Sequence, residues 1–234
     1  MSQRANRVEL SVESRGGRAS LAFGVRHLVC CGWVSRDKLE LQAHIDELAS
    51  LGVPPPTRIP ILMHLPPYLV STDDEVEVVS ATTSGEIEYV LLCDGADTWV
   101  TVGSDHTDRR IEAVSMVASK QMGAKHIARD CWPLSEIQSH WDLLILKCTV
   151  SKDGESTLYQ ESTLASILSP ADLLPRAAGG LLGTRDGLVL FSGTVPTQSG
   201  LLYGDGYDLV LHDPVLNRTI STHYHVRILQ QEIE

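Results

Sequence analysis

Glu86 and Glu88 alternate with Ile87 and Tyr89 in Ser84-Gly85-Glu86-Ile87-Glu88-Tyr89-Val90-Leu91-Leu92, and Asp105 follows in Gly103-Ser104-Asp105-His106-Thr107. A strand turns successive side chains to opposite faces, so Glu86 and Glu88 share one face. Two carboxylates side by side repel, and on a partly buried face a cation or a proton must sit between them. Three hard oxygen ligands suit Mg²⁺ or Mn²⁺, with Ca²⁺ a further option, better than Zn²⁺. Taken alone, Glu-x-Glu also fits a solvated strand carrying two scattered acids.

The elements that must position these residues can be read from hydrophobic patterning. Val8 to Val12 and Ala19 to Phe23 alternate around Arg15-Gly16-Gly17-Arg18, which predicts a hairpin, and a further strand is expected from Val25 to Trp33. A helix is expected from Arg36 to Leu51, stopped by Gly52 and Pro54-Pro55-Pro56, with His44 and Glu47 on one face. Ile59 to Pro67 is extended and proline-punctuated, as suits a sheet edge or a loop.

Strands are expected at Val76 to Val79, Ile87 to Cys93 and Thr98 to Val102, which puts Glu86-x-Glu88 near the middle of a sheet. A helix is predicted over Arg109 to Gln121, capped by Asp108, with Ile111, Val114, Val117 and Ala118 inward. Leu143 to Val150 reads as a strand buried on both faces, and Ser169-Pro170-Ala171-Asp172 as a helix start. Strands return at Gly187 to Ser192, Tyr207 to His212 and Thr219 to Leu229. The pattern is α+β, mainly β, with a few short helices.

The chain has 234 residues, 43% of them hydrophobic, enough for one domain over 1–234 with an N-terminal β segment at 1–35 and a lid-like helix at 36–52. It has no apolar run of about 18 residues, so neither a membrane partner nor a signal segment is expected, and a cytoplasmic location is. A net charge of −11 argues against nucleic acid, because phosphate binding needs clustered Lys and Arg. The five cysteines lack a Cys-x-x-Cys pair and read as reduced core residues. His223 and His225 flank Tyr224 in a late strand without a third metal ligand in sequence, which favours a structural place. No Gly-x-Ser-x-Gly elbow, phosphate loop or Gly-x-Gly-x-x-Gly occurs.

In order, the chain offers His44-x-x-Glu47, Glu86-x-Glu88, Asp105-x-x-x-Arg109, Lys125 ahead of Cys131-Trp132-Pro133, and Gly193-Thr194 ending an apolar strand. From about Val25 to Arg227 this order resembles the C-terminal domain of the fumarylacetoacetate hydrolase family, in a bacterial branch known only as a domain of unknown function. The resemblance implies a mixed β-sandwich roll and a homodimer. It also implies a divalent cation on Glu86, Glu88 and Asp105, a base formed by His44 with Glu47, and Lys125, Arg109 and Thr194 around a small oxo-acid substrate. Lys120 competes with Lys125 for the place of the active-site lysine, and Arg109 can equally serve as a structural partner of Asp105 or Asp108.

The chain departs from the family pattern in three places, one of them a stretch between Glu88 and Asp105 that is shorter than usual. The family's Gly-Thr-Pro loop reads Gly193-Thr194-Val195-Pro196 here, and the glutamine expected after Arg109 is replaced by Glu112. The implied reaction is metal-dependent hydrolysis of a carbon–carbon bond beside a carbonyl. Decarboxylation or enol-keto isomerisation at the same site is the first alternative, and a non-catalytic binding module retaining the fold is the second.

Overall fold

The computed structural model describes residues 6–39, 41, 42, 45, 46, 56 and 58–232. Ten strands form a mixed sheet whose main path runs Gly17–Val25, Asn6–Ser14, Asp130–Pro133, Asp97–Asp105, Ile87–Asp94, Leu188–Phe191, His27–Gly32 and Ile61–Leu65. Lys125–Ile127 and Val70–Ser71 branch from it beside Asp97–Asp105. A second sheet of five strands runs Glu155–Thr163, Ile145–Lys152, Gly206–Asp213, Arg218–Ile228 and Glu75–Val78.

The larger apolar core lies between the sheets. Tyr89, Leu91, Val100 and Val102 of the first meet Leu146, Cys148, Leu209, Leu211 and Tyr224 of the second. The opposite face of the first sheet carries a smaller core that includes Val90, Leu92, Cys30, Phe191 and Ile127. Alternation along Ile87–Asp94 therefore points Ile87, Tyr89 and Leu91 into the larger core. Glu88 has the parity of Val90 and Leu92, so it stands at the end of the smaller one.

The predicted hairpin is present, with Asn6–Ser14 paired to Gly17–Val25. The expected Val25 to Trp33 strand is split, because Val25 ends one strand and His27 begins the next. Ile61–Leu65 is an edge strand and Ile87–Asp94 is central, as the proline spacing and the apolar run predict. All five cysteines are free and buried. No described helix is long and apolar enough to cross a membrane.

Two expectations are corrected. Ile145–Lys152 alternates between buried and more exposed positions instead of being buried on both faces, since it has the core on one side only. The helix expected over 109–121 is two short helices, Arg109–Glu112 and Met116–Gln121. Ser115 breaks the first, and its side chain accepts from the backbone N–H of Ala118 to cap the second. The restart shifts the helical phase. Val114 and Val117 are exposed, and Ser119 and Lys120 turn inward instead.

Candidate metal centre

Strand register assembles the site. In the antiparallel pair of Ile87–Asp94 with Asp97–Asp105, Ile87 faces Ser104 and Glu88 faces Gly103. The ladder continues one step further through the Asp105 N–H donated to the Glu86 carbonyl at 3.0 Å, which sets Glu86 opposite Asp105. On the other side of Asp105 its partner in register is Lys125. Glu86, Asp105 and Lys125 thus form a row across three neighbouring segments on one face, with Glu88 two residues along.

The carboxylates converge: one oxygen from each of Glu86, Glu88 and Asp105 lies within 4.8 Å of the others. At an effective dielectric of about 20, two unit charges at that separation repel by about 3.5 kcal/mol, so bringing three together requires compensation. Asp105 is the most constrained. Its side chain is fully buried, with Lys125 Nζ 2.8 Å from Oδ1 and Lys120 Nζ 2.9 Å from Oδ2. Burial opposes its charge, but Lys120 and Lys125 more than offset that and hold its pKa at about 2.

Glu86 keeps 16% of its side chain exposed, which makes it the member of the trio open to solvent. Lys120 Nζ sits 2.5 Å from its Oε2 and Arg109 donates to its Oε1 at 3.0 Å. Burial again works against its charge, and Arg109 and Lys120 pull the carboxyl below its ordinary range. Glu88 has no such partner. Its Oε2 accepts from the Gly193 N–H at 2.7 Å, while its Oε1 is buried and has no partner among the described residues. Burial and then the charge of Asp105 push Glu88 well above the ordinary carboxylate value.

Several residues hold this geometry from behind. Gly193 takes a positive φ of 85°, which a side chain disfavours, and an added Cβ would lie 2.6 Å from Val34 Cγ2. Gly85 leaves room for the Tyr224 hydroxyl and for Ser104 Oγ, which accepts from the Glu86 N–H at 3.1 Å and lies 2.8 Å from the Tyr224 hydroxyl. Tyr224 continues to His106 Nδ1 at 3.1 Å. Gln160 ties the start of the Glu88 strand to the 193–195 turn. It accepts from the Ile87 N–H and donates to Thr194 Oγ1 at 2.8 Å.

Arg109 donates from Nε to Ser84 Oγ at 2.7 Å and from Nη1 to Glu86 and Glu112, while its buried Nη2 has no partner among the described residues. It therefore pairs with Glu86 rather than with Asp105 or Asp108. Asp108 instead caps the helix, accepting from the N–H groups of Arg110 and Ile111. The Thr194 hydroxyl donates to the Ile87 carbonyl at 2.8 Å, beside Gly193 and hence beside Glu88. Lys125 spends its three donors on Asp105, the His106 carbonyl at 2.7 Å and the Gly123 carbonyl at 3.1 Å.

His44 and Glu47 lie outside the described residues. Lys120 is the lysine that touches two of the three carboxylates. Sequence reasoning held it only as a rival to Lys125, and the Ser115 cap is the signal that would have turned it inward. Ser84, Ser104 and Gln160 were not singled out, since single polar residues in β-rich sequence give no sign of a long-range partner.

The donor set fits a hard divalent cation. It offers three carboxylates, and among the described residues one of their buried oxygens lacks a partner and no other cluster offers three such donors. The Cys30 thiol near this face is pushed well up by burial and then by Asp105, so it supplies no thiolate. Two clefts of about 570 and 550 Å³ lie elsewhere, lined by Arg36, His140 and Asp172 and by Trp33, Ile45 and Arg176, without any of the three carboxylates.

No curated protein matches the chain. Its fold is shared with solved structures at low identity. A protein described as of the fumarylacetoacetate hydrolase family from Yersinia pestis CO92 is 19% identical with a TM-score of 0.62, over 92% of this chain and 99% of that one. A protein described as a fumarylacetoacetate isomerase/hydrolase from Oleispira antarctica is 18% identical with a TM-score of 0.64, over 94% and 100%. A 2-keto-3-deoxyarabinonate dehydratase is 15% identical with a TM-score of 0.58, over 90% and 77%. The α+β, mainly β architecture is accordingly that of the fumarylacetoacetate hydrolase type. The matching sequence profile spans residues 31–224, and the chain belongs to the family described as Protein of unknown function (DUF2848).

Proposed function

We propose that the protein is a Mg²⁺- or Mn²⁺-dependent hydrolase that cleaves a carbon–carbon bond beside a carbonyl in a small oxo acid or 1,3-dicarbonyl. The observation that carries this reading is the convergence of Glu86, Glu88 and Asp105 around a buried Glu88 oxygen that has no partner among the described residues. The cation held by these three residues would polarise the substrate carbonyl and stabilise negative charge on its oxygen. Lys125 contributes a fixed positive charge behind Asp105 and keeps that carboxylate aimed at the site. Arg109 fixes Glu86 and has a buried donor, unpartnered among the described residues, for a substrate carboxylate. Thr194 has one lone pair left after donating to Ile87 and accepting from Gln160, and a substrate hydroxyl can use it.

In the hydrolytic reaction His44, paired with Glu47 by the family resemblance, would take a proton from water. The water oxygen bonds to one carbonyl carbon, the adjacent carbon–carbon bond breaks, and the departing carbon keeps the electron pair in conjugation with its own carbonyl until it is protonated. The products are a carboxylic acid and a smaller oxo compound. The family resemblance supports a homodimer, and a cytoplasmic location completes the proposal.

A second reading keeps the site and omits the attacking water, giving decarboxylation, isomerisation or dehydration. It is supported by structural relatives described as an isomerase and a dehydratase. A screen of Mn²⁺-loaded protein against acylpyruvates, oxaloacetate and ring-opened aromatic oxo acids tests the proposal. Turnover by C–C hydrolysis that collapses in His44→Ala supports it. Turnover that survives in His44→Ala favours the second reading, and absence of any turnover counts against both.

A further inference from the structure

We infer that Lys120 is a built-in competitor for the cation site, so that a divalent ion binds only by displacing its ammonium group from Glu86 and Asp105. This rests on the metal-site reading above. Lys120 Nζ lies 2.5 Å from Glu86 Oε2 and 2.9 Å from Asp105 Oδ2, and its side chain is only 6% exposed. Carboxylate oxygens bind Mg²⁺ at about 2.0–2.1 Å. A dication at that distance from the same two oxygens would stand against a buried ammonium in a space the three carboxylates confine to 4.8 Å. Two like charges at such range repel by several kcal/mol at an effective dielectric of about 20.

Lys120 and Lys125 are not equivalent. Lys125 approaches Asp105 along the sheet from the neighbouring segment and is locked by the carbonyls of His106 and Gly123. Lys120 comes from the last turn of the helix Met116–Gln121, and among the described residues it is held by the two carboxylates and by no backbone carbonyl. Its four-carbon stem can swing. Its helix follows an exposed Ala113-Val114 break, so displacement need not disturb the sheet. The free chain thus balances its carboxylates internally, and the cation exchanges for a lysine instead of entering an uncompensated acidic site.

Calorimetric titration of Mn²⁺ into the full chain tests this, with Lys120→Met and Lys120→Arg as variants. The expected result is at least tenfold tighter binding in Lys120→Met, and binding within about threefold of the unaltered protein in Lys120→Arg. Equal or weaker binding by Lys120→Met, where the unaltered protein binds, overturns the competition and leaves the metal site standing. Absence of binding by the unaltered protein and both variants overturns the site reading itself and the competition with it.

If Lys120→Met does not fold, amine acetylation of the unaltered protein, mapped by mass spectrometry, decides the matter. Labelling of Lys120 should rise several-fold on adding Mn²⁺. Unchanged or reduced labelling overturns the proposal.

Discussion

Lys125 and Asp105 face each other in register across neighbouring strands, with the Lys125 ammonium 2.8 Å from Asp105 Oδ1 and both side chains fully buried. Breaking a buried ion pair from one side leaves its partner's charge uncompensated, at a cost of about 3–5 kcal/mol. Lys125→Met should lower the unfolding free energy by about that amount in urea titration. A loss below about 1 kcal/mol would mean that Lys120 alone neutralises Asp105.

Acid should weaken the fold through His126 first and through Asp105 at lower pH. His126 is lowered to about 4 by burial, and its ring nitrogens contact the Asp73 carbonyl and the Thr222 hydroxyl, each at 2.8 Å. An unfolded histidine titrates near 6.5, so the unfolded chain takes up this proton first and stability falls as the pH drops from about 6.5 to 4. Asp105 is depressed to about 2, so its contribution is complete above about 3.9 and is lost as the pH falls from there toward 2. Unfolding free energies measured across pH 3.5 to 7 should show a shallower acid slope for His126→Gln. An unchanged slope would count against the buried neutral imidazole.

Gly85 is sterically required. An added Cβ would collide with the Tyr224 hydroxyl and lie 2.8 Å from Ser104 Oγ and 2.9 Å from Tyr207 Cδ1. Overpacking of this kind costs about 1–3 kcal/mol, and here it also pushes on the Ser104 hydroxyl that accepts the Glu86 N–H. Gly85→Ala should reduce the melting temperature by several degrees and weaken cation binding together. A melting temperature equal to that of the unaltered protein would show that Tyr224 can yield.

The three carboxylates were readable because their placement depends on local periodicity and register. Period-two alternation put Glu86 and Glu88 on one face, and the turn Cys93 to Asp97 folds the next strand back so that Asp105 lands opposite Glu86. Lys120 was obscured because the apolar spacing of Ile111, Val114, Val117 and Ala118 mimics one continuous helix. The Ser115 cap restarts the phase and exchanges the valines for Ser119 and Lys120 on the buried side. The supporting hydrogen bonds were out of reach for a different reason. Gln160 is 73 residues from Ile87 and Tyr224 is 120 from Ser104, and only the packing of the two sheets brings them together.

Glu88→Gln provides the most direct measurement of the central claim. Glu88 is already pushed well above its ordinary value by burial and by Asp105, so a neutral isostere that keeps the carbonyl for the Gly193 N–H should leave stability within about 1 kcal/mol. It removes an anionic ligand from the trio, so calorimetric titration with Mn²⁺ should find one ion bound per unaltered chain and a loss of at least a hundredfold in affinity in the folded variant. Absence of binding by the unaltered protein and by Lys120→Met alike, or equal binding by Glu88→Gln, would contradict the assignment of Glu86, Glu88 and Asp105 as a metal centre.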